Sequence, residues 1–210
     1  SNGSIPYCVQ INPSESMSHQ MLAGCHDKKI LQWDVREKKI VQTYDRHLGS
    51  INTITFLDGG KQFLSTSEDK SLRLWDYGIP VEIKYIADPY MHATSFVGMH
   101  PSQKWLLGQS LDDHIYVYEQ GKHGFRQFKK KLFKGHKIAG YACQCGFSND
   151  GRFVISGDAQ GNVWFWDWKT GKHITTKKCH DAVAMCVAWH PIEPSKMATA
   201  SWDNTIKYWD

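Results

Sequence analysis

The dipeptide Trp-Asp recurs along the chain at a nearly constant spacing, and this repeat constrains the fold more than any other feature. It closes four segments, LQWD, LRLWD, WFWD and IKYWD, and a degenerate fifth copy reads IYVYE. The aromatic residue of the motif stands at positions 33, 75, 118, 166 and 209, so successive copies end 42 to 48 residues apart. A fixed period of this length indicates one supersecondary unit that is copied along the chain. The sequence therefore predicts five similar units.

Each copy contains short segments with the alternation of a β-strand. In the second copy these segments are 51–56, 62–67, 71–75 and, more weakly, 81–86. Polar and glycine-containing turns separate them, as in hairpins. The last copy has the segments 184–189, 196–200 and 205–209, and so contains only its first three strands. Seventeen glycines and 13% aromatic residues also favour an all-β chain.

A period near 40–45 residues that ends in Trp-Asp is typical of the four-stranded blades of β-propellers. On this motif, the chain resembles the WD-repeat (WD40) propeller proteins over essentially its whole length. The resemblance implies five visible blades, a number within the range of about four to eight found in propellers. We expect one propeller domain over residues 1–210, with repeats at about 6–44, 45–86, 87–131, 132–176 and 177–210.

In WD-repeat proteins a His, a Ser or Thr, an Asp and the Trp form a buried hydrogen-bonded network, and the resemblance implies the same network here. The Asp stands six residues before the Trp, the hydroxyl residue stands four before the Asp, and the His lies at the start of the copy. Such a network fixes a blade only when every member is satisfied. The second and fifth copies have complete sets: His47, Ser65, Asp69 and Trp75, and His180, Thr199, Asp203 and Trp209. The other copies are incomplete, and the fourth has Gln160 at the Asp position.

A Ser, a His and an Asp together also raise the alternative of a hydrolase. We interpret the trio as structural, because it recurs at the repeat period and no Gly-x-Ser-x-Gly turn accompanies it. The sequence also lacks a Walker loop, an HExxH motif and any CxxC pair. We therefore predict a non-catalytic chain with no cofactor, no metal and no small-molecule substrate. A hydrolase activity that is sensitive to Ser65→Ala would instead support an enzyme.

Charge, cysteine content and hydropathy exclude several other classes. The chain has 25 Lys and Arg against 21 Asp and Glu, and this net charge of +4 is too small to establish nucleic-acid binding. Its six cysteines lie mostly within apolar strand patterns, which is typical of a reducing compartment. No apolar run approaches the ~18 residues that a membrane span requires, so we predict no membrane partner.

Two surfaces are candidate partner sites. In a propeller, the residue before each turn Asp lies near the mouth of the central channel, and we expect protein contacts at His26, Glu68, Leu111, Ala159 and Trp202. For Trp202, packing against its own loop is the alternative. A basic run, expected to include the outer strand of the third blade, is a candidate contact for RNA or an acidic partner: Arg126, Lys129, Lys130, Lys131 and Lys134. The alternative for this run is an edge strand that lysines protect from aggregation.

Several connecting segments carry a more specific resemblance. They are DKKILQWD (27–34), YDRHLGSINTITF (44–56), STSEDKSLRLWD (65–76), IPVEIKYIADPYMHA (79–93), FKGHKIAGYACQCGFSNDGRFVISGD (133–158) and WDWKT (166–170). These segments are similar to those of the WD-repeat splicing factors of the spliceosome.

The resemblance to splicing factors implies a nuclear scaffold that acts around the second transesterification step of splicing. It also implies other spliceosomal proteins as partners, contact with small nuclear RNA or pre-mRNA, and a chain that is the C-terminal part of a seven-bladed propeller. The repeats alone leave open a generic adaptor, such as a ubiquitin-ligase substrate receptor or a chromatin reader.

Overall fold

The computed structural model describes residues 3–121, 124–193 and 195–210. In these residues the chain forms five antiparallel sheets, and this confirms the predicted all-β fold. The first sheet contains β1 (Pro6–Ile11), β2 (Gln20–Cys25), β3 (Ile30–Asp34) and β4 (Lys39–Tyr44). The second contains β5 (Ile51–Leu57), β6 (Gln62–Ser67), β7 (Leu72–Asp76) and β8 (Glu82–Ile86).

The remaining sheets follow the same hairpin order. The third contains β9 (Thr94–Met99), β10 (Trp105–Ser110), β11 (His114–Gly121) and β12 (Gly124–Phe133). The fourth contains β13 (Cys145–Phe147), β14 (Phe153–Gly157), β15 (Asn162–Asp167) and β16 (His173–Lys178). The fifth contains β17 (Ala184–Trp189), β18 (Met197–Ser201) and β19 (Ile206–Trp209), which are the three strands expected for this copy.

A shared irregularity indicates that the sheets are copies of one unit. In the first, second and fourth sheets, the outer strand shifts register against the third strand next to the Trp of the motif: Trp33, Trp75 and Trp166. Such a bulge bends the outer strand and increases its local twist. The same backbone device therefore accompanies the same side chain in each of these sheets.

The chain divides into two compact units, one comprising the residues up to Thr94 together with Gly124, and one comprising Ser95–Gly121 and Phe125–Asp210. In the first unit, the first sheet packs on the second through a buried core that includes Leu22, Ile30, Ile54, Phe63 and Trp75. In the second unit, one core joins the third and fourth sheets and includes Leu107, Val117, Phe133, Val154 and Trp166. Another core joins the fourth and fifth sheets through Ile155, Val163, Cys179, Val187 and Met197.

The fourth and fifth sheets approach each other closely at Gly157, at the end of β14. A Cβ atom at this position would lie 2.0 Å from the carbonyl oxygen of Ala184 in β17. No side chain fits at that distance, so only glycine allows this approach. By contrast, a Cβ added to Gly146 in β13 would have no atom of the described residues within 4 Å.

Candidate functional site

The His47 network lies at the β6–β7 turn of the second sheet and is built from four buried or half-buried side chains. His47 Nδ1 is 2.9 Å from Asp69 Oδ2, and His47 Nε2 is 2.7 Å from Ser65 Oγ. The indole N–H of Trp75 donates to the same Ser65 oxygen at 2.9 Å. Because a carboxylate only accepts, Nδ1 carries the proton, and Nε2 accepts the Ser65 hydroxyl hydrogen. Each polar atom of the chain from carboxylate to indole is therefore satisfied.

Asp69 also stabilises the β6–β7 turn. Asp69 Oδ1 accepts hydrogen bonds from the Ser71 backbone N–H at 3.0 Å and the Ser71 hydroxyl at 2.6 Å. These contacts place Ser71 in the turn, so β7 begins at Leu72, one residue later than the sequence pattern predicts. Burial raises the pKa of Asp69, but the hydrogen bonds from His47, Ser71 and the Leu48 N–H outweigh it and hold the pKa well below its usual value.

The fifth sheet repeats this arrangement. His180 Nδ1 lies 2.9 Å from Asp203 Oδ2, and His180 Nε2 lies 2.7 Å from Thr199 Oγ1. The indole N–H of Trp209 donates to Thr199 Oγ1 at 2.8 Å. Hydrogen bonds from Thr205, the strongest influence, and from His180 lower the pKa of the Asp203 carboxyl.

These networks have the members of a hydrolase triad but not its access to substrate. Ser65 is 0% exposed and His47 is 3% exposed. The Ser65 hydroxyl donates to His47 and accepts from Trp75, so its oxygen is already occupied by protein groups. A nucleophile has to reach the substrate, whereas the Ser65 hydroxyl of β6 is hydrogen-bonded to the Trp75 indole of the neighbouring strand β7. The arrangement stabilises the blade.

The fourth sheet uses a different set of residues. The position rule predicts Gln160, but Asp158 occupies the turn: it accepts from the Gln160 N–H at 2.8 Å and from the Trp164 indole at 2.8 Å. His136 Nε2 lies 3.1 Å from Gln109 Oε1, and the Ser156 hydroxyl donates to the same oxygen at 3.2 Å. Gln109 belongs to β10, so a side chain from the third sheet supplies the acceptor for both His136 and Ser156, whereas His136 Nδ1 has no hydrogen-bond partner among the described residues. Burial lowers the pKa of His136 to about 4.

The candidate channel-mouth residues of the first unit are His26 and Glu68. Both are exposed. His26 Nδ1 lies 2.8 Å from the Tyr7 hydroxyl and 3.2 Å from the Ser50 hydroxyl. The Glu68 backbone N–H donates to the Ser50 carbonyl at 2.9 Å, which leaves the Glu68 carboxylate at the surface. Ser50 therefore contacts both candidates, although the sequence pattern does not mark it.

The candidates of the second unit, Leu111 and Trp202, belong to one apolar surface that we name the Tyr141–Trp202 patch. It consists of Leu111, Tyr141, Met185 and Trp202, above the buried residues Ile138, Cys143 and Val183. Trp202 is 57% exposed and meets Tyr141 edge to face, with ring centroids 4.8 Å apart. The backbone N–H of Ala159, the remaining candidate, donates to the Lys137 carbonyl at 2.8 Å.

The repeat pattern does not identify Tyr141 and Met185 as members of a contact site. Tyr141 belongs to the long connection between β12 and β13, outside the recurring positions, and Met185 lies in β17, where the alternation predicts a strand but no contact site. The only sequence signal for this connection is its unusual length between two strands. Asp113 holds it in place, since Asp113 Oδ1 accepts from the Ile138 N–H at 2.7 Å and the Ala139 N–H at 3.2 Å.

The basic run lies mostly on β12, the outer strand of the third sheet, as the sequence pattern predicts. Lys129, Lys130 and Lys134 are exposed. Arg126 forms an ion pair with Glu119 at 3.1 Å. Lys131 is half-buried, lies 4.0 Å from the centre of the Trp168 ring and donates to the Trp168 carbonyl at 2.8 Å. Its burial lowers the pKa of Lys131.

The described residues offer no group of three or more His, Cys, Asp or Glu side chains that would hold a metal ion. The six cysteines are free thiols, and burial raises the pKa of Cys143 and Cys145 to about 12. Thiols of this kind are poor nucleophiles and poor metal ligands. Among the helices in the described part of the chain, none has the length and apolar character to cross a membrane.

Comparison with known proteins matches the WD domain, G-beta repeat (WD40), at residues 38–76, 127–167 and 171–210. Pre-mRNA-processing factor 17 of Homo sapiens and of Mus musculus is 52% identical to the chain over 209 residues, which are all of this chain and 36% of those proteins. Pre-mRNA-processing factor 17 of Saccharomyces cerevisiae is 38% identical over 198 residues, 92% of this chain and 43% of that protein. The chain thus spans less than half the length of these relatives.

Proposed function

The chain belongs to the WD40-repeat family, and we propose that it is a non-catalytic scaffold of the spliceosome that supports pre-mRNA splicing. One observation carries this proposal: the 52% identity to pre-mRNA-processing factor 17 extends over the whole chain. The recurring blade positions alone would not support a splicing function, because a fold by itself does not define a function. As part of this proposal, the protein is nuclear and acts around the second transesterification step of splicing.

Protein contacts are assigned to the candidate residues at the turns: His26, Glu68, Leu111 and Trp202. The exposure of His26, Glu68 and Trp202 supports this assignment, and so does the cluster of apolar side chains around Leu111. Exposed aromatic residues in such clusters frequently dominate the binding energy of an interface. The buried His47 and His180 networks would keep the turns of Glu68 and Trp202 in place.

RNA contact is assigned to the exposed part of the basic run, which is Lys129, Lys130 and Lys134. Exposed lysines bind phosphates by releasing counterions, and their contribution falls as the salt concentration rises. Lys131 is left out of this assignment, because its ammonium group is held against Trp168. Arg126 is a secondary candidate, because Glu119 already pairs with it.

Co-purification from nuclear extract tests the proposal. The tagged chain is captured, and the associated proteins and small nuclear RNAs are identified. A Trp202→Ala and Leu111→Ala double variant should recover fewer spliceosomal proteins, whereas Tyr90→Ala, which alters an exposed aromatic residue of the first unit, should not. Recovery of ubiquitin-ligase or chromatin subunits without spliceosomal RNA would contradict the proposal and favour a generic adaptor.

The timing of action needs a separate experiment. Nuclear extract depleted of the protein that contains this chain should accumulate the cleaved 5′ exon and the lariat intermediate, which are the substrates of the second step. Adding the protein back should restore ligated exons. Accumulation of uncleaved pre-mRNA in the depleted extract would assign the protein to the first step or earlier.

A further inference from the structure

We propose that the Tyr141–Trp202 patch binds an arginine side chain on an extended segment of a partner protein. This inference rests on the proposed function, because it names the chemistry of one protein contact of the scaffold. The occupant follows from three properties of the patch: a fixed and open indole, an acidic rim, and an apolar floor.

The indole of Trp202 is held in place while most of its surface stays open. The Trp202 backbone N–H donates to the Val183 carbonyl at 3.2 Å. Its ring meets Tyr141 at 4.8 Å with an interplanar angle of 77°, and 57% of the residue remains exposed. Tyr141 is itself fixed, because its N–H donates to the Ile138 carbonyl at 2.9 Å. A guanidinium group can therefore stack on a ring that needs no reorganisation.

Asp113, Asp181 and Asp203 lie in the segments next to this ring, although the whole chain has a net charge of +4. Asp203 follows Trp202 directly, and the Asp181 backbone N–H donates to its carboxylate at 3.2 Å. Asp181 is exposed and Asp113 lies under the Tyr141 connection. The Lys207 ammonium is bound to the Cys179 carbonyl at 2.7 Å and the exposed Lys178 ammonium to the Gln160 carbonyl at 2.5 Å, while Lys137 adds an exposed positive charge.

This combination selects arginine. Its planar guanidinium stacks on an aromatic face and donates in-plane hydrogen bonds to a carboxylate such as that of Asp181. Lysine offers a more strongly hydrated point charge without the planar stack, so it gains less from the same ring. An acidic rim repels phosphates, so the aromatic pair is a poor site for an RNA base. Leu111 and Met185 can then receive an apolar side chain next to the arginine.

Capped peptides GSLRLSG, GSLKLSG and GSLQLSG, which differ at one position, test the inference with the intact chain. Binding is followed by calorimetry and by the NMR signal of the Trp202 indole N–H, which Trp202→Phe removes and so identifies. The arginine peptide should bind about tenfold more tightly than the glutamine peptide, with the lysine peptide between them. Trp202→Ala should abolish this preference, Asp181→Asn should reduce it, and Tyr90→Ala should leave it unchanged.

Three results would overturn the inference: equal affinity for the three peptides, no binding of any of them, or displacement of the Trp202 signal by a single-stranded RNA and not by the arginine peptide. The outcome is separate from that of the proposed function. If the chain recovers spliceosomal RNA but lacks arginine selectivity, only the inference about the patch is wrong. If the peptide binds but no spliceosomal component is recovered, the spliceosomal assignment fails and the arginine site remains.

Discussion

The imidazole of His47 and the hydroxyl of Ser65 share a 2.7 Å hydrogen bond beneath the β6–β7 turn, and the Trp75 indole donates to the same oxygen. Ser65→Ala removes the partner of both groups, and neither His47 nor Trp75 can reach water in its place. We expect the free energy of unfolding to fall by about 2 kcal/mol, because two buried polar atoms lose their hydrogen bonds. Urea unfolding followed by circular dichroism measures it.

The exposed Ser16 provides the matched control, because its hydroxyl bonds to the Ser14 hydroxyl at the surface and not to a buried group. Ser16→Ala should change the free energy of unfolding by less than about 0.5 kcal/mol. If Ser65→Ala unfolds at the same urea concentration as Ser16→Ala, the network does not stabilise the blade.

The repeat unit can be predicted from the sequence because its signals are local. Strand alternation, turn residues and the Trp-Asp period all operate within one copy, so the positions of β5 and β6 agree with the pattern to within a residue. The start of β7 shifts by one because Ser71 bonds to Asp69 in the turn. That competition between side chain and strand depends on turn geometry, which the alternation does not encode.

The residues that substitute for missing network members could not be predicted from the sequence, because they come from other copies or other positions. Gln109 serves His136 from the neighbouring sheet, 27 residues away and outside the repeat period. Asp158 accepts the turn hydrogen bonds in place of Gln160 from a position two residues earlier, which Ser67 and Ser201 occupy in the second and fifth sheets. Likewise, consecutive lysines look equivalent in sequence, and only packing distinguishes Lys131 from Lys130.

Acid should destabilise the protein in the range where His136 titrates. Its pKa is about 4 in the folded chain against an ordinary value of 6.5, so the unfolded chain binds the proton first as the pH falls. The contribution of His136 to the free energy of unfolding, on the order of 3 kcal/mol, is therefore fully present above about pH 6.5 and is lost as the pH falls toward 4. Urea titrations at several pH values measure the slope.

Comparison with His136→Gln isolates the effect. Burial also lowers the pKa of His100, which contributes a loss of the same sign, so some pH dependence should remain in the variant. The variant should nevertheless show a clearly shallower slope between pH 6.5 and pH 4 than the unchanged protein. Parallel slopes would mean that His136 is protonated at the same pH in the folded and unfolded chains.

The close approach at Gly157 should make this position intolerant of any side chain. A methyl group added there meets the Ala184 carbonyl, so Gly157→Ala has to move β14 and β17 apart. We expect a loss of about 2 kcal/mol, as for other overpacked cores. Gly146→Ala, in the adjacent strand β13 with open space around the added methyl, should change stability by less than about 0.5 kcal/mol. Equal thermal midpoints for the two variants would contradict this packing.

Lys131 should contribute to stability, whereas Lys130 should not. The Lys131 ammonium covers the Trp168 ring and bonds to its carbonyl, and Lys131→Ala removes both contacts. We expect a loss of about 1 kcal/mol, as for a partly desolvated cation–π pair. Lys130→Ala removes only an exposed charge and should leave the unfolding midpoint unchanged. Equal midpoints for both variants would show that the contact with Trp168 adds nothing.

Charge reversal at Lys129 and Lys130 should weaken RNA association without unfolding the chain, because both side chains are exposed. Lys129→Glu with Lys130→Glu should reduce the affinity for single-stranded RNA by about tenfold at moderate salt and flatten its dependence on salt concentration. The matched control is Lys28→Glu with Lys29→Glu, which makes the same charge change at exposed positions of the first unit. Fluorescence anisotropy over a salt series measures both quantities. If the two double variants lose affinity equally, RNA responds to net charge alone, and the surface of β12 has no specific part in binding.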